Sequence, residues 1–493
     1  MSGKFLVLPC AILAALAAGS AAAVSVNPRG VGQALIYPYY TVNKGQDTLV
    51  SLVNTSGVGK AAMVYVREGY NGRFASRFLV YLAPNDAWSG TISQVSDGSG
   101  ARLSTRDNSC VVPAASVMGT PFSSSDYNGS DGATADGGPV GPSRTREGYV
   151  EVLAIGDIMP GSATEASMMP SFDGEPNNGA PPGCVNLGAL PADLSPPTSG
   201  LTGSAIVVNV SEGTFFGYNA TALTRVVDIP SAAAGEPIRW AGTDFSTSPW
   251  ELAHTADSAT PAGAVAHLTT DGGKPLALDY DHGVDAVSAA LMADSIYNEY
   301  LVGGDIGAST DWVVTFPTKA DYVDAALYLE EGAPAIPPFA ETFGQTRAGA
   351  SQVLAFPERY DHEAENAVSG GGTNVAYALP HQVNVISFSS DADATTSGVL
   401  GSPLPTDDAG KPTTLQPYGT SGWASLSFGG FNPPMRADRN GIVLTGMPVV
   451  GFMVYNVINS AAQPGKLANY GGAFPHRSSL WCGRAESEPD PCD

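Results

Sequence analysis

The residues able to do chemistry are mostly carboxylates: 47 Asp and Glu stand against 23 Lys and Arg and six His. Glu147, Glu151, Glu299 and Asp311 sit near segments that read as ordered. Glycoside hydrolysis needs two such groups facing across a bond, but spacing alone singles out no pair, so none is assigned as catalytic. A nucleophile elbow needs Gly-x-Ser-x-Gly between a strand and a helix. Gly419-Thr420-Ser421-Gly422 and Gly129-Ser130-Asp131-Gly132 come nearest, and both read as turns. His254, His267, His282, His362, His381 and His476 are scattered singly. His362-Glu363-Ala364-Glu365 lacks the second His of a zinc helix. Asp279-Tyr280-Asp281 and Asp391-Ala392-Asp393 begin like calcium loops. The Gly and Glu that an EF-hand requires further along are replaced by Val284 and Ala290 in the first, and by Thr396 and Ser402 in the second. No cofactor is assigned. Calcium, held in an irregular site, is the cation that the abundant oxygen ligands would suit. Gly57-Val58-Gly59-Lys60 has neither the earlier Gly nor the following Ser or Thr of a phosphate loop, and reads as a turn.

Met1–Ala23, a lone Lys4 followed by an apolar run and a small-residue end, reads as a cleavable export leader, and once it and its Cys10 are set aside four cysteines remain: Cys110, Cys184, Cys482 and Cys492. An even number in an exported chain points to disulfides. Cys110 with Cys184, both in loop-rich sequence, and Cys482 with Cys492, stapling the tail, is the favoured pairing of three. A zinc site lacks any Cys-x₂-Cys spacing. The formal charge of −24 opposes binding to nucleic acid or an anionic membrane surface.

The elements that must position these residues are strands. Between Gln33 and Ile92 five short runs alternate apolar and polar residues, with turns at Asn54–Gly57 and Tyr70-Asn71-Gly72. Tyr37, Tyr39, Tyr40, Tyr65, Tyr70 and Tyr81 lie here. Outward-facing they could stack on sugars or a partner; the reading adopted is that they fill the core. Ser93–Arg146 reads largely as loop, Tyr149–Ile155 as a strand, and Ala205–Val210 with Thr214–Thr221 as a hairpin. In the second half, Val284–Tyr300 reads as one amphipathic helix and Tyr322–Leu329 as a strand. Asp311–Phe316, Val383–Phe388 and Ala424–Phe428 read as further strands, and Ile442–Leu444 with Val449–Val454 as a hairpin. The expected fold is mostly β: two antiparallel, immunoglobulin-like β-sandwich units with long Gly/Pro/Ser-rich loops and one helix. The units span 24–235 and 236–493, with the helix near 284–301.

Met1–Ala23 reads as a cleavable secretory signal: Lys4, then an apolar run from Phe5 to Ala18, then Ser20-Ala21-Ala22-Ala23. No later run approaches the length of a membrane span. At Gly32–Val42, Arg146–Val152, Tyr218–Leu223 and Thr310–Lys319 the chain resembles a group of exported bacterial proteins of unknown function. Thr48–Arg67 resembles one edge of a bacterial immunoglobulin-like domain. These resemblances imply a location and a fold but no catalytic residue. The expected role is that of an exported structural or adhesive protein, periplasmic or at the cell surface, meeting a protein or glycan there or assembling with itself through the strand-prone Val24–Val42. A glycan- or calcium-binding module and a secreted hydrolase are the alternatives.

Overall fold

The computed structural model describes residues 23–128, 136–169, 183–184, 187, 193–226, 250, 264–303, 306–329, 332–344, 349–363, 376–391, 394–404, 414–459, 463 and 468–484. Residues 1–22 of the expected leader, Cys492, His254, Gly129–Gly132 and part of Asp391-Ala392-Asp393 lie outside them.

The protein is mostly β, and among the described residues its strands pair antiparallel except where Ala23–Val26 runs parallel to Ala264–Thr269. The largest sheet runs β16 (Pro275–Tyr280), β15 (Ala264–Thr269), β1 (Ala23–Val26), β14 (Thr221–Thr224), β2 (Ala34–Thr41), β10 (Glu147–Ile158), β4 (Lys60–Glu68), β5 (Phe74–Leu82) and β8 (Cys110–Val112), with β11 (Leu194–Ser195) beside β10. A six-stranded sheet covers one of its faces: β13 (Thr214–Asn219), β12 (Leu201–Asn209), β3 (Gln46–Asn54), β6 (Ala87–Gln94), β7 (Ala101–Ser104) and β9 (Met118–Pro121). In the second half, β21 (Tyr377–Leu379), β20 (Val353–Tyr360), β23 (Ser421–Ser427), β18 (Ser295–Leu301) and β28 (Arg477–Ser479) form one sheet. A second holds β22 (Val383–Phe388), β19 (Ala308–Thr315), β26 (Val450–Val457) and β27 (Tyr470–Pro475). Two small ladders pair β17 (Met292–Ala293) with β25 (Met447–Pro448) and β24 (Ile442–Thr445) with β29 (Trp481–Arg484).

Alternation explains the layering. Leu35, Tyr37 and Tyr39 of β2 face the six-stranded sheet, where Val50, Leu52, Trp88 and Val207 meet them. Ala34 and Ile36 point the other way, into a core with Trp312, Ile386 and Leu426. Strands β2, β4 and β10 are therefore buried on both faces. Both large cores draw on both halves of the chain: Val313, Val385, Phe452 and Val454 complete the first, and Val24, Leu153 and Leu223 complete the second. The boundary expected near 235 falls outside the described residues, and the segments on either side of it share their packing.

Three sequence expectations need correction. The helix expected over 284–301 ends at Ala290: Gly283–Ala290 is helical (α2; a shorter α1 spans Ala163–Met168), and Ser295–Leu301 is a strand. Val284, Val287 and Leu291 do share a buried stripe. From Ser295, however, Ile296, Asn298 and Tyr300 are buried while Glu299 is exposed, which is the two-residue period of a strand pairing with β23. The strand expected over 322–329 is replaced by α3 (Lys319–Val323) and a turn. Tyr322 donates to Asp285 on α2 at 2.8 Å, and the Asp324 carboxylate accepts from the Ala326 N–H and pairs with Arg73, so local capping outcompetes extension. Ile442–Leu444 and Val449–Val454 do not form a hairpin; β24 and β26 enter different sheets. Gly446, at φ +102°, makes the crossing, where a Cβ would sit 2.0 Å from the Ala293 carbonyl oxygen.

Candidate functional site

The sequence-singled residues fall mostly into internal structure. Cys110 on β8 and Cys184 are disulfide-bonded with Cα atoms 5.3 Å apart. Cys482 is buried on β29 and disulfide-bonded; its expected partner, Cys492, lies outside the described residues. Tyr37, Tyr39 and Tyr40 are wholly buried, and each hydroxyl is satisfied: Tyr37 by the Ser51 carbonyl at 2.7 Å, Tyr39 by Glu147 at 2.8 Å and Tyr40 by the Thr145 carbonyl at 3.1 Å. Tyr65 and Tyr81 are likewise core residues. Tyr70 lines a cleft.

Each of the four carboxylates near ordered elements has a separate task. Glu151 on β10 is gripped by Arg67 of β4 at 2.6 Å and by the Trp250 indole at 3.2 Å. Asp311 on β19 is buried and accepts the backbone N–H groups of Gly398 (3.2 Å), Val399 (2.8 Å) and Leu400 (2.8 Å). It thereby holds the segment 397–404, which Gln46 also grips through the Val399 carbonyl at 2.7 Å. Burial pushes the carboxyls of Glu151 and Asp311 up, with Arg67 opposing the shift at Glu151 and the backbone donors opposing it at Asp311. Glu299 is exposed, with Arg477 4.0 Å away. Further ion pairs that sequence reading missed are buried: Lys60–Asp157 at 2.7 Å, Arg73–Asp324 at 2.7 Å, and Arg144 clamped between Glu68 and Asp136, each at 2.8 Å. Their partners are 97, 251, 76 and 8 residues apart, so no local pattern announces most of them.

No group of three metal-ligating side chains converges among the described residues. Asp279 and Asp281 are both held by Arg439, at 3.2 and 2.7 Å, which puts a guanidinium where a cation-loop reading would place the ion. His476 is held between the Asn298 amide and the Val313 carbonyl. Because Nε2–H donates to that carbonyl, Nδ1 is the acceptor. Burial pulls its imidazole down to about 4.

Glu147 is different. It opens β10 and lines a cleft of about 170 Å³ between the two halves of the chain, with Gly69 and Tyr70 on one side and His381, Asn384 and Ser402 on the other. Its Oε2 accepts from Tyr39 (2.8 Å) and Asn43 (3.3 Å), and its Oε1 from Ser402 (3.0 Å). Burial pushes this carboxyl up. His381 packs against Tyr70 with ring centroids 4.2 Å apart and planes tilted by 49°, and burial, helped by the Lys319 and Arg144 charges, pulls its imidazole down to about 3, leaving it neutral. Ser402 is buried and turns its hydroxyl toward Glu147, tying segment 397–404 to β10.

A second surface is apolar. On the outer face of the six-stranded sheet Ile206 lies between Leu49 and Gly217, and Val208 between Asp47 and Phe215. Leu49, Ile206 and Phe215 are 41 %, 40 % and 66 % exposed. Ser51, Ser89, Thr91, Thr202 and Ser204 surround them on the same face. No helix among the described residues is long and apolar enough to cross a membrane. Comparison of the chain with protein-family models, with curated proteins and with solved structures found no match.

Proposed function

We propose that this is an exported, non-enzymatic structural or adhesive protein, acting by contact with another protein at the cell surface. The observation that carries the reading is the outer face of the six-stranded sheet. On a chain of formal charge −24, a patch built from Leu49, Ile206, Val208 and Phe215 and rimmed by Ser and Thr carries Asp47 and, across Ser93 in the same row, the opposite charge of Arg102. Sheet faces that leave large apolar side chains in water mark contact surfaces. The strand-addition route expected for Val24–Val42 is not carried forward: β1 already pairs with β14 on one side and β15 on the other, and β2 with β14 and β10.

The test is a Leu49→Asp/Ile206→Asp variant expressed in the native cell. The variant is expected to keep its melting temperature and to pass from the surface fraction into the medium. Equal surface retention of the folded variant would remove the proposal. A second reading, glycan binding, is favoured by the outer face of the sheet around β23. There Trp423, 40 % exposed, stacks on Tyr360 at 4.5 Å and lies directly across from Glu299, with Tyr297 and Glu358 flanking Ser425 in the next row. Trp423→Ala on a glycan array distinguishes the two.

A further inference from the structure

The cleft at Glu147 has polar groups that the fold leaves unused. A carboxylate offers about four lone-pair sites, and three donors fill three of them here. Among the described residues no Lys or Arg lies within ion-pair distance of Glu147, whereas Glu68, Glu151, Asp157 and Asp324 each have a cationic partner. The Tyr70 hydroxyl makes no hydrogen bond to a described residue, although Arg144 lies 5.3 Å from its ring. The His381 Nδ1 is buried without a hydrogen-bond partner. Asn384, by contrast, is spent on the Val314 and His381 backbone. One anionic acceptor, one phenol and one neutral imidazole thus line the same small concavity, walled on its apolar side by Val383, Val385 and Leu404.

We propose that this cleft is a binding site for a primary alkylammonium group. An ammonium presents three N–H donors and no acceptor, which complements the free carboxylate site, the phenol oxygen and an imidazole nitrogen. It also supplies a direct ion pair, which Arg146, acting on Glu147 from beyond ion-pair distance, does not make. Val383, Val385 and Leu404 suit the alkyl stem that follows such a group. A volume of about 170 Å³ accommodates the head and a short stem but no larger ligand. The ammonium can belong to a free small amine or to a lysine side chain of a partner protein. This site lies apart from the apolar sheet face and does not depend on the contact reading.

The experiment is calorimetric titration of the full chain at about pH 8, where carboxylates are ionised and alkylammonium groups remain charged, with three probes: n-butylammonium, Nα-acetyl-lysine methylamide and the neutral isostere n-pentanol. Saturable binding of an ammonium probe with none of n-pentanol is expected. Tighter binding of n-butylammonium identifies a free amine as the ligand; tighter binding of the lysine derivative identifies a protein partner. Glu147→Gln is expected to weaken binding roughly tenfold or more, the usual loss for a charge-assisted bond. Tyr70→Phe is expected to weaken it by a smaller factor. It removes a hydroxyl that no described residue uses, so it guards against misreading a folding defect in Glu147→Gln. Absence of saturable binding, equal binding of n-pentanol, or unchanged affinity in a folded Glu147→Gln protein would each overturn the assignment.

Discussion

Removing the Glu151 carboxylate tests how strongly the largest sheet depends on paired internal charge. Glu151→Ala deletes the 2.6 Å bond from Arg67 Nε, leaving the guanidinium with the Gly72 carbonyl at 2.7 Å and the Phe74 ring at 4.3 Å. A carbonyl and a ring do not replace a counter-charge, and Asp321 acts on Arg67 only as a more distant one. An uncompensated buried ion costs about 3–5 kcal/mol, and the retained contacts place the expected loss near the lower end, about 3 kcal/mol. Arg67→Met combined with Glu151→Leu removes both charges while filling the volume, and is expected to lie within about 1–2 kcal/mol of the native protein. The double variant is therefore more stable than the single, with a favourable coupling of about 2 kcal/mol or more between the two positions. Urea unfolding followed by tryptophan fluorescence, at one pH and one salt concentration, measures Glu151→Ala and the four corners of the cycle: the native protein, Arg67→Met, Glu151→Leu and the double variant. A single Glu151→Ala variant losing under about 1 kcal/mol, or a double variant losing the sum of the two singles, would refute the reasoning.

Three further perturbations follow from other parts of the fold. His476 titrates near 6.5 when unfolded and at about 4 when folded, so the unfolded chain takes up its proton first as the pH falls. Its share of stability is complete above about 6.5 and is lost toward about 4. His476→Gln is expected to flatten that slope by about 2 kcal/mol after allowance for its partial exposure, read as the difference between variant and native urea curves, and an unchanged slope would contradict it. Asp311→Asn exchanges one acceptor oxygen for an amide that faces N–H groups; it is expected to cost about 2 kcal/mol and to speed hydrogen exchange at Gly398, Val399 and Leu400 while leaving β4 protected, as mass spectrometry of peptides would show. Replacing Cys110 and Cys184 together by Ala opens a loop closed over 74 residues, and is expected to lower stability by about 4 kcal/mol under oxidising conditions and by nothing under reducing ones, as paired thermal melts would show.

Strands were legible wherever one rule governed them. β3, β4, β5, β12 and β19 alternate cleanly or run apolar between turn residues, and the structure places them where the pattern does. The reading failed where two periods fit the same letters: Ile296 and Tyr300 lie four residues apart, which satisfies a helix as well as a strand, and only pairing with β23 decides. It failed again at Gly446, because a glycine between two apolar runs marks a hairpin and a sheet crossing alike. The Glu147 cleft was the least visible feature. Glu147 stood out as an acid near a strand, but Ser402 is 255 residues away from it, and Tyr70 and His381 meet only across the junction of the two halves. Side chains brought together by long-range pairing leave no spacing to read.

The seat of β1 imposes an order of events on the making of this protein. Ala23 and Val24 pair with Val265 and Ala266, while Ser25 and Val26 pair with Thr224 and Leu223. The first strand thus waits for more than two hundred following residues to be synthesised before its slot exists, and closing so long a loop is slow. Both Ala23 and Val24 are about 1 % exposed once docked, so a peptidase has no grip on the bond between them in the folded molecule. Any cleavage of that bond must therefore precede the docking of β1.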